Sequence, residues 1–184
     1  FIKFDKIYVS IYLKTMNYYK VIFFAILLAI GTSIKAQSFD EKQQLALVID
    51  QWHKAASEAN FKSYFELMTE DAVFIGTDAN EYWNKQEFQN YAKPHFDKGK
   101  AWSFTALERH VYFDASGNTA WFDELLNTQM KICRGSGVLV KVGKQWKIKH
   151  YVLSMTIPND SSKAVIAIKA PIEEVLIQNR KSKI

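Results

Sequence analysis

WSFTALERHVYFDASGNTAWFDELLNTQMKICRGSGVLVKVGKQWKIKHYVLSM, residues 102–155, is the stretch that decides the fold. Four runs within it, Trp102 to Phe113, Thr119 to Met130, Gly135 to Val142 and Gln145 to Met155, follow the period of two expected of half-buried strands. The breaks between them are short: Asp114–Asn118, Lys131–Arg134 and Gly143–Lys144. Short connections predict antiparallel neighbours. Three of the runs carry ionisable residues in their middles, Glu108, Arg109 and His110, Asp123 and Glu124, and His150, and Arg134 stands just before the fourth. A charge inside a sheet must reach water, find a partner or line a wet cavity, because burying it unpaired is strongly unfavourable. The flanking side chains are aromatic (Trp102, Phe104, Tyr112, Phe113, Trp121, Phe122, Trp146, Tyr151). Greasy walls around a few convergent polar groups are the composition of a small-molecule pocket.

Upstream of this stretch the period is helical. Leu45, Val48, Ile49, Trp52 and Ala56 return at three- and four-residue spacing, which predicts a helix capped by Ser38 or Asp40 and ended near Asn60. A second short helix is expected over Phe61–Met68, then a turn at Thr69–Asp71 and a strand over Ala72–Gly76. The turn-forming cluster Thr77–Asn80 leads into an extended piece, Glu81–Trp83. Asn84 is a helix cap for Lys85–Lys98, where Pro94 predicts a kink or an early end. Helices followed by a meander give an α+β arrangement, with helices packed on one face of a curved, antiparallel sheet. Beyond Pro158 the tail has an apolar stretch, Ala164–Ala170, and a possible helix after Pro171.

The N-terminal end reads differently. From Met16 a short basic start is followed by an apolar run from Val21 to Ile30 and by small residues up to Ala36. That is the layout of an export signal cut after Ala36, leaving no stable membrane anchor, and the fifteen residues before Met16 read as upstream translation. The expected division is therefore 1–36 as leader, 37–159 as one folded domain and 160–184 as a tail. The chain has 24 basic and 19 acidic residues, but five of those bases and one acid lie before the cut, so the mature charge is close to zero. A near-neutral domain argues against nucleic acid as partner, since that binding needs a concentrated basic face. Cys133 is the single cysteine, so no intrachain disulfide can form.

Several segments, taken in order, resemble the SnoaL-like branch of the nuclear transport factor 2-like superfamily. They include Trp52-His53-Lys54-Ala55-Ala56, Phe74-Ile75-Gly76-Thr77-Asp78, Pro94-His95-Phe96, Arg109-His110-Val111, Ala120-Trp121-Phe122-Asp123-Glu124 and Arg134-Gly135-Ser136-Gly137-Val138. The resemblance implies a cone-shaped α+β fold, about three N-terminal helices on a strongly curved sheet, a pocket between them, and a homodimer. It does not imply one activity, because the superfamily holds cyclases, isomerases, dehydratases and non-catalytic binders.

Strand parity assigns faces to the charged centres. Trp146, Ile148, His150 and Val152 share a face, and Lys147 and Lys149 on the opposite face want water, so His150 is expected inside. In the second run either Asp123 or Glu124 faces inward; Glu124 is the better candidate, being longer and flanked by Phe122 and Leu126. The candidate catalytic set is His150 with Glu124 or Asp123 as an acid/base pair. Arg109 and Arg134 are candidate clamps for a ligand oxygen, with His53, Tyr64, Asp78, Trp83 and Phe122 as further ligand-binding candidates. No metal-ligand spacing, Gly-x-Ser-x-Gly elbow or phosphate-cradling loop occurs, so neither metal nor cofactor is expected. Three readings follow: an exported domain binding a small, partly apolar, carbonyl-bearing or acidic molecule; a cofactor-free isomerase, dehydratase or cyclase; and a structural or interaction subunit.

Overall fold

The structure, a computed structural model, describes residues 18–20 and 41–181. Apart from 18–20, the expected leader Met16–Ala36 lies outside the described residues, as do the expected caps Ser38 and Asp40. The chain divides into two compact units, Phe1–Leu47 and Val48–Ile184. In the first, residues 18–20 and 41–47 are helical. The second begins within a helix, α1, which runs over 41–57 among the described residues. It continues with α2 (Phe61–Glu66), β1 (Met68–Ile75), β2 (Tyr82–Asn84), α3 (Lys85–Asp97), β3 (Phe104–Phe113), β4 (Thr119–Thr128), β5 (Lys131–Val142), β6 (Gln145–Met155) and α4 (Ser162–Lys181).

The six strands form one sheet in the order β2-β1-β6-β5-β4-β3. The α+β class is as expected, and the meander β3 to β6 is antiparallel throughout. One pairing departs from the antiparallel expectation: β1 runs parallel to β6, with Phe74 opposite Tyr151. A parallel pair needs a long crossover, and β1 is separated from β6 by a helix and four strands. The boundaries also shift. β1 starts at Met68, through the expected turn at Thr69–Asp71, and β5 starts at Lys131, through the expected loop.

Two bulges decide which side chains face the core. In β3, Ala106 lies opposite Leu126 but Glu108 lies opposite Leu125, so Leu107 is extra and Arg109 comes to face Glu124. In β6, Ile148 lies opposite Leu139 and His150 opposite Val138, so Lys149 is extra. One extra residue flips every later side chain to the other face. Trp146 and Ile148 are buried before the bulge and Tyr151 and Leu153 after it.

The helices pack their aromatic stripes on this sheet. Trp52 of α1 stacks on Tyr64 of α2 with ring centroids 4.8 Å apart, and meets Tyr151 edge-on, also at 4.8 Å. Asn84 and Glu87 form a reciprocal capping box that starts α3. Pro94 neither kinks the helix to a stop nor ends it early, and α3 runs on to Asp97. Proline removes only one donor, and Phe88, Ala92 and Phe96 are buried on both sides of it. The tail is also one continuous helix from Ser162, with Pro171 inside it and no buried residue. Among the described residues, no helix is long and apolar enough to cross a membrane.

Candidate functional site

The charged centres of the strands meet the helices at one carboxylate. Glu124, on the core face of β4, is wholly buried. Its Oε1 lies 2.8 Å from Nε2 of His53 on α1 and accepts from the Tyr151 hydroxyl at 3.0 Å. Its Oε2 accepts from Nε and Nη2 of Arg109 at 2.9 and 2.7 Å. Arg109 reaches further, donating through Nη1 to Asp50 at 2.7 Å. Burial alone would push the Glu124 carboxyl up, but the hydrogen bond and charge of His53 and the charge of Arg109 outweigh it and hold it below the usual carboxylate range. With Glu124 ionised, its Oε1 is the acceptor and His53 Nε2 the donor of that bond. His53 Nδ1 is buried and, among the described residues, has no hydrogen-bond partner.

Gly135 makes the node possible. A side chain there would place its Cβ 2.3 Å from the Tyr151 hydroxyl and 2.9 Å from Glu124 Oε1. The Gly135-Ser136-Gly137 run thus marks close approach of the core to the β5 backbone. Burial, followed by the neighbouring Glu124 charge, raises the Tyr151 phenol well above its ordinary value, so it stays a donor. Glu124 therefore spends both oxygens on the protein itself.

A second region is open. A half-open cavity of about 150 Å³ lies among Phe74, Trp83, Phe88, Tyr91, Trp102 and Phe104. The remaining lining includes Glu81, Thr77 and Gln129 as polar side chains and Met130 and Leu153 as apolar ones. The rings are layered: Phe74 on Phe88 at 4.0 Å, Trp83 on Tyr91 at 4.4 Å and Phe88 on Trp102 at 5.8 Å. Behind them Tyr64 is fully buried; burial pushes its phenol well up, against an opposing contact from the Trp102 indole. Neither the Tyr64 hydroxyl nor Trp102 Nε1 completes a hydrogen bond of ordinary geometry. Phe104 links the two regions, lining the cavity and meeting His53 edge-on at 5.5 Å.

The structure brings together Glu124, Arg109 and His53, and beside them Phe122, whose ring lies 6.0 Å from Tyr151. Trp83 lines the cavity. Four sequence expectations are corrected. His150 does not face the core, because the β6 bulge turns it outward and puts Tyr151 in its place. Arg134 is exposed, opposite Leu125 and Ser154 on the outer side of the sheet, since the alternation of β5 buries Cys133 and Gly135 instead. Asp123 also faces outward, 3.0 Å from Nδ1 of His110. Asp78 lies in an exposed turn where its carboxylate accepts from the Asn80 backbone at 2.8 Å, as a turn-forming aspartate does. Neither arginine proposed as an oxyanion clamp lines the cavity.

Sequence reasoning named Trp83, Trp102 and Phe104 but missed Glu81, Phe74, Phe88 and Tyr91, and it put Tyr151 on the face of Lys147 and Lys149. Glu81 packs over Gly76: a Cβ there would lie 2.1 Å from Glu81 Oε2, so the carboxylate would have to shift to admit one. Among the described residues no group of three or more His, Cys, Asp or Glu is placed to hold a metal ion.

Residues 46–158 match the family described as SnoaL-like domain. No curated protein sequence matches the chain. Solved structures match at low identity. An NTF2-like protein of unknown function from Pseudomonas putida KT2440 shares 14% identity, covering 67% of this chain and 92% of its own, with a TM-score of 0.56. A candidate aromatic ring hydroxylase from Novosphingobium aromaticivorans shares 14%, covering 65% and 92%, at 0.57. A candidate dehydratase of the NTF2-like family from Streptomyces avermitilis shares 13%, covering 63% and 96%, at 0.55. At these identities the likeness is one of fold.

Proposed function

The chain belongs to the SnoaL-like domain family, and on that premise we propose that it binds a small, partly apolar molecule in the cavity walled by Phe74, Trp83, Phe88, Trp102 and Phe104. The observation that carries this reading is the cavity itself: layered aromatic rings, open to solvent on one side, with three polar side chains among them. Such a lining gives a ligand apolar contact over most of its surface and a few points of orientation. The test is a thermal-shift screen of small aromatic and alicyclic compounds against the purified protein. A ligand raises the melting temperature by mass action, and Trp83→Ala removes the shift. No shift from any compound sinks the reading.

A second reading, a cofactor-free enzyme, is favoured by one observation: among the described residues His53 Nδ1 is buried without a hydrogen-bond partner while Glu124 fixes the other ring nitrogen. An imidazole so oriented is a general base in waiting. His53, not His150, then supplies the base, and Glu124 acts by positioning it. For any substrate found, His53→Gln lowers kcat at least a hundredfold with little change in KM; an unchanged rate rejects the enzyme reading.

The proposal extends to assembly and address. The outer face of the sheet exposes Leu107, Tyr112, Trp121 and Ile132, a surface suited to a second copy of the chain. Sedimentation of the wild type against Trp121→Glu tests this, the dimer being expected only in the former. Export rests on the Met16–Ala36 pattern; N-terminal sequencing of the secreted or periplasmic fraction should begin at Gln37.

A further inference from the structure

The lining of the cavity is electrically one-sided. Among the residues that form it, Glu81 is the one formal charge, and there is no lysine, arginine or histidine. The carboxylate is held in place from below: Oε2 accepts from the Asp78 backbone N–H at 3.1 Å and sits over Gly76, where a Cβ would come within 2.1 Å. Among the described residues Glu81 makes no ion pair. The nearby cations of α4 are otherwise engaged, Arg180 with the Ala79 carbonyl at 2.7 Å and Lys169 with Glu173 at 3.0 Å. Burial raises the Tyr91 phenol, and the Glu81 charge adds to it.

An anionic ligand in this cavity would meet a carboxylate and find no counter-charge. A neutral ligand would strip water from Glu81 and return at most a hydrogen bond, never a counter-charge. A cation satisfies the carboxylate and is attracted by the negative faces of tryptophan and tyrosine rings. We infer that the cavity selects a small organic cation, an ammonium or methylated ammonium head on a compact apolar group, with Glu81 as counter-charge and Trp83, Tyr91 and Trp102 as its walls. The inference rests on the ligand-cavity reading and names its ligand class, replacing the acidic ligand that the sequence suggested.

Three compounds of nearly one shape test it: choline, its neutral carbon isostere 3,3-dimethylbutan-1-ol, and the anion 3,3-dimethylbutanoate. Each is titrated into the purified full chain, following tryptophan fluorescence, with benzyl alcohol as an uncharged aromatic control. Choline should bind on the order of tenfold more tightly than the alcohol, and the carboxylate most weakly. Glu81→Gln, and independently Gly76→Ala, which displaces the carboxylate, should each reduce choline affinity by a similar factor. Equal binding of choline and the alcohol, tighter binding of the anion, or unchanged choline affinity in both variants overturns the cation inference and leaves the cavity reading standing. Binding of none of the four compounds overturns both.

Discussion

Glu124 and Glu81 are both carboxylates beside aromatic rings, and they have opposite fates. Glu124 is wholly buried and accepts four hydrogen bonds, from His53, Tyr151 and twice from Arg109. Glu81 is half-buried, accepts a backbone N–H from Asp78, and borders a cavity. The difference teaches where chemistry can reside in this fold. A buried charge that the protein satisfies completely ties α1 to the sheet and has nothing left for a ligand, whereas a charge held at a cavity wall still has field to offer. The apparent polar floor of the sheet is thus mostly a structural joint, and the open end is the place of recognition.

The largest test of that contrast is Glu124→Ala. It strands the buried guanidinium of Arg109, the Tyr151 hydroxyl and His53, and should lower the unfolding free energy by about 3–5 kcal/mol in a denaturant titration. A loss below 1 kcal/mol would put the two carboxylates in one class. Tyr151→Phe removes one hydrogen bond to a charged acceptor and should cost about 1.5–3 kcal/mol by the same measurement.

Acid should reveal the same joint. Because the Glu124 carboxyl lies below its ordinary value in the fold, the unfolded chain takes up the proton first as pH falls. Its contribution is complete above the ordinary glutamate value of about 4.3 and is lost as pH drops through the folded value. Glu70, Asp71 and Asp114 are lowered too, but the first two are solvent-exposed and Asp114 is half-buried in a turn. Melting temperature against pH should therefore fall less steeply in Glu124→Gln than in the wild type; parallel profiles would count against an ionised Glu124 in the core. The smallest expected effect is that of Glu81→Gln on the empty protein, within about 0.5 kcal/mol. A large loss there would mean that Glu81, too, is a structural joint.

Much of the fold was legible in local pattern. The alternation of β4 pointed to Glu124 rather than Asp123 as the inward carboxylate, because Phe122 and Leu126 share its face, and both flanking residues are buried. The Asn84 cap and the start of α3 were legible for the same kind of reason, a side chain read against its own neighbours. His150 was misplaced because parity was carried across Lys149 as though the strand were regular. Trp146 and Ile148 were assigned correctly, and everything after the bulge was inverted. Arg134 failed for a different reason: its strand begins earlier than the hydrophobic run suggested, and its charge was read as buried when it stands at the surface.

The sequence by itself determined the α+β class, most strands and helices, the inward face of β4 and the family, since these depend on periodicities and caps spanning a few residues. Only the tertiary structure decided that His53 meets Glu124 across 71 residues of chain, that Tyr151 supersedes His150, and that Glu81 rather than an arginine is the charge at the cavity. Bulges and the docking of helices on a sheet are chosen by packing among residues far apart in sequence, and no local period records that choice.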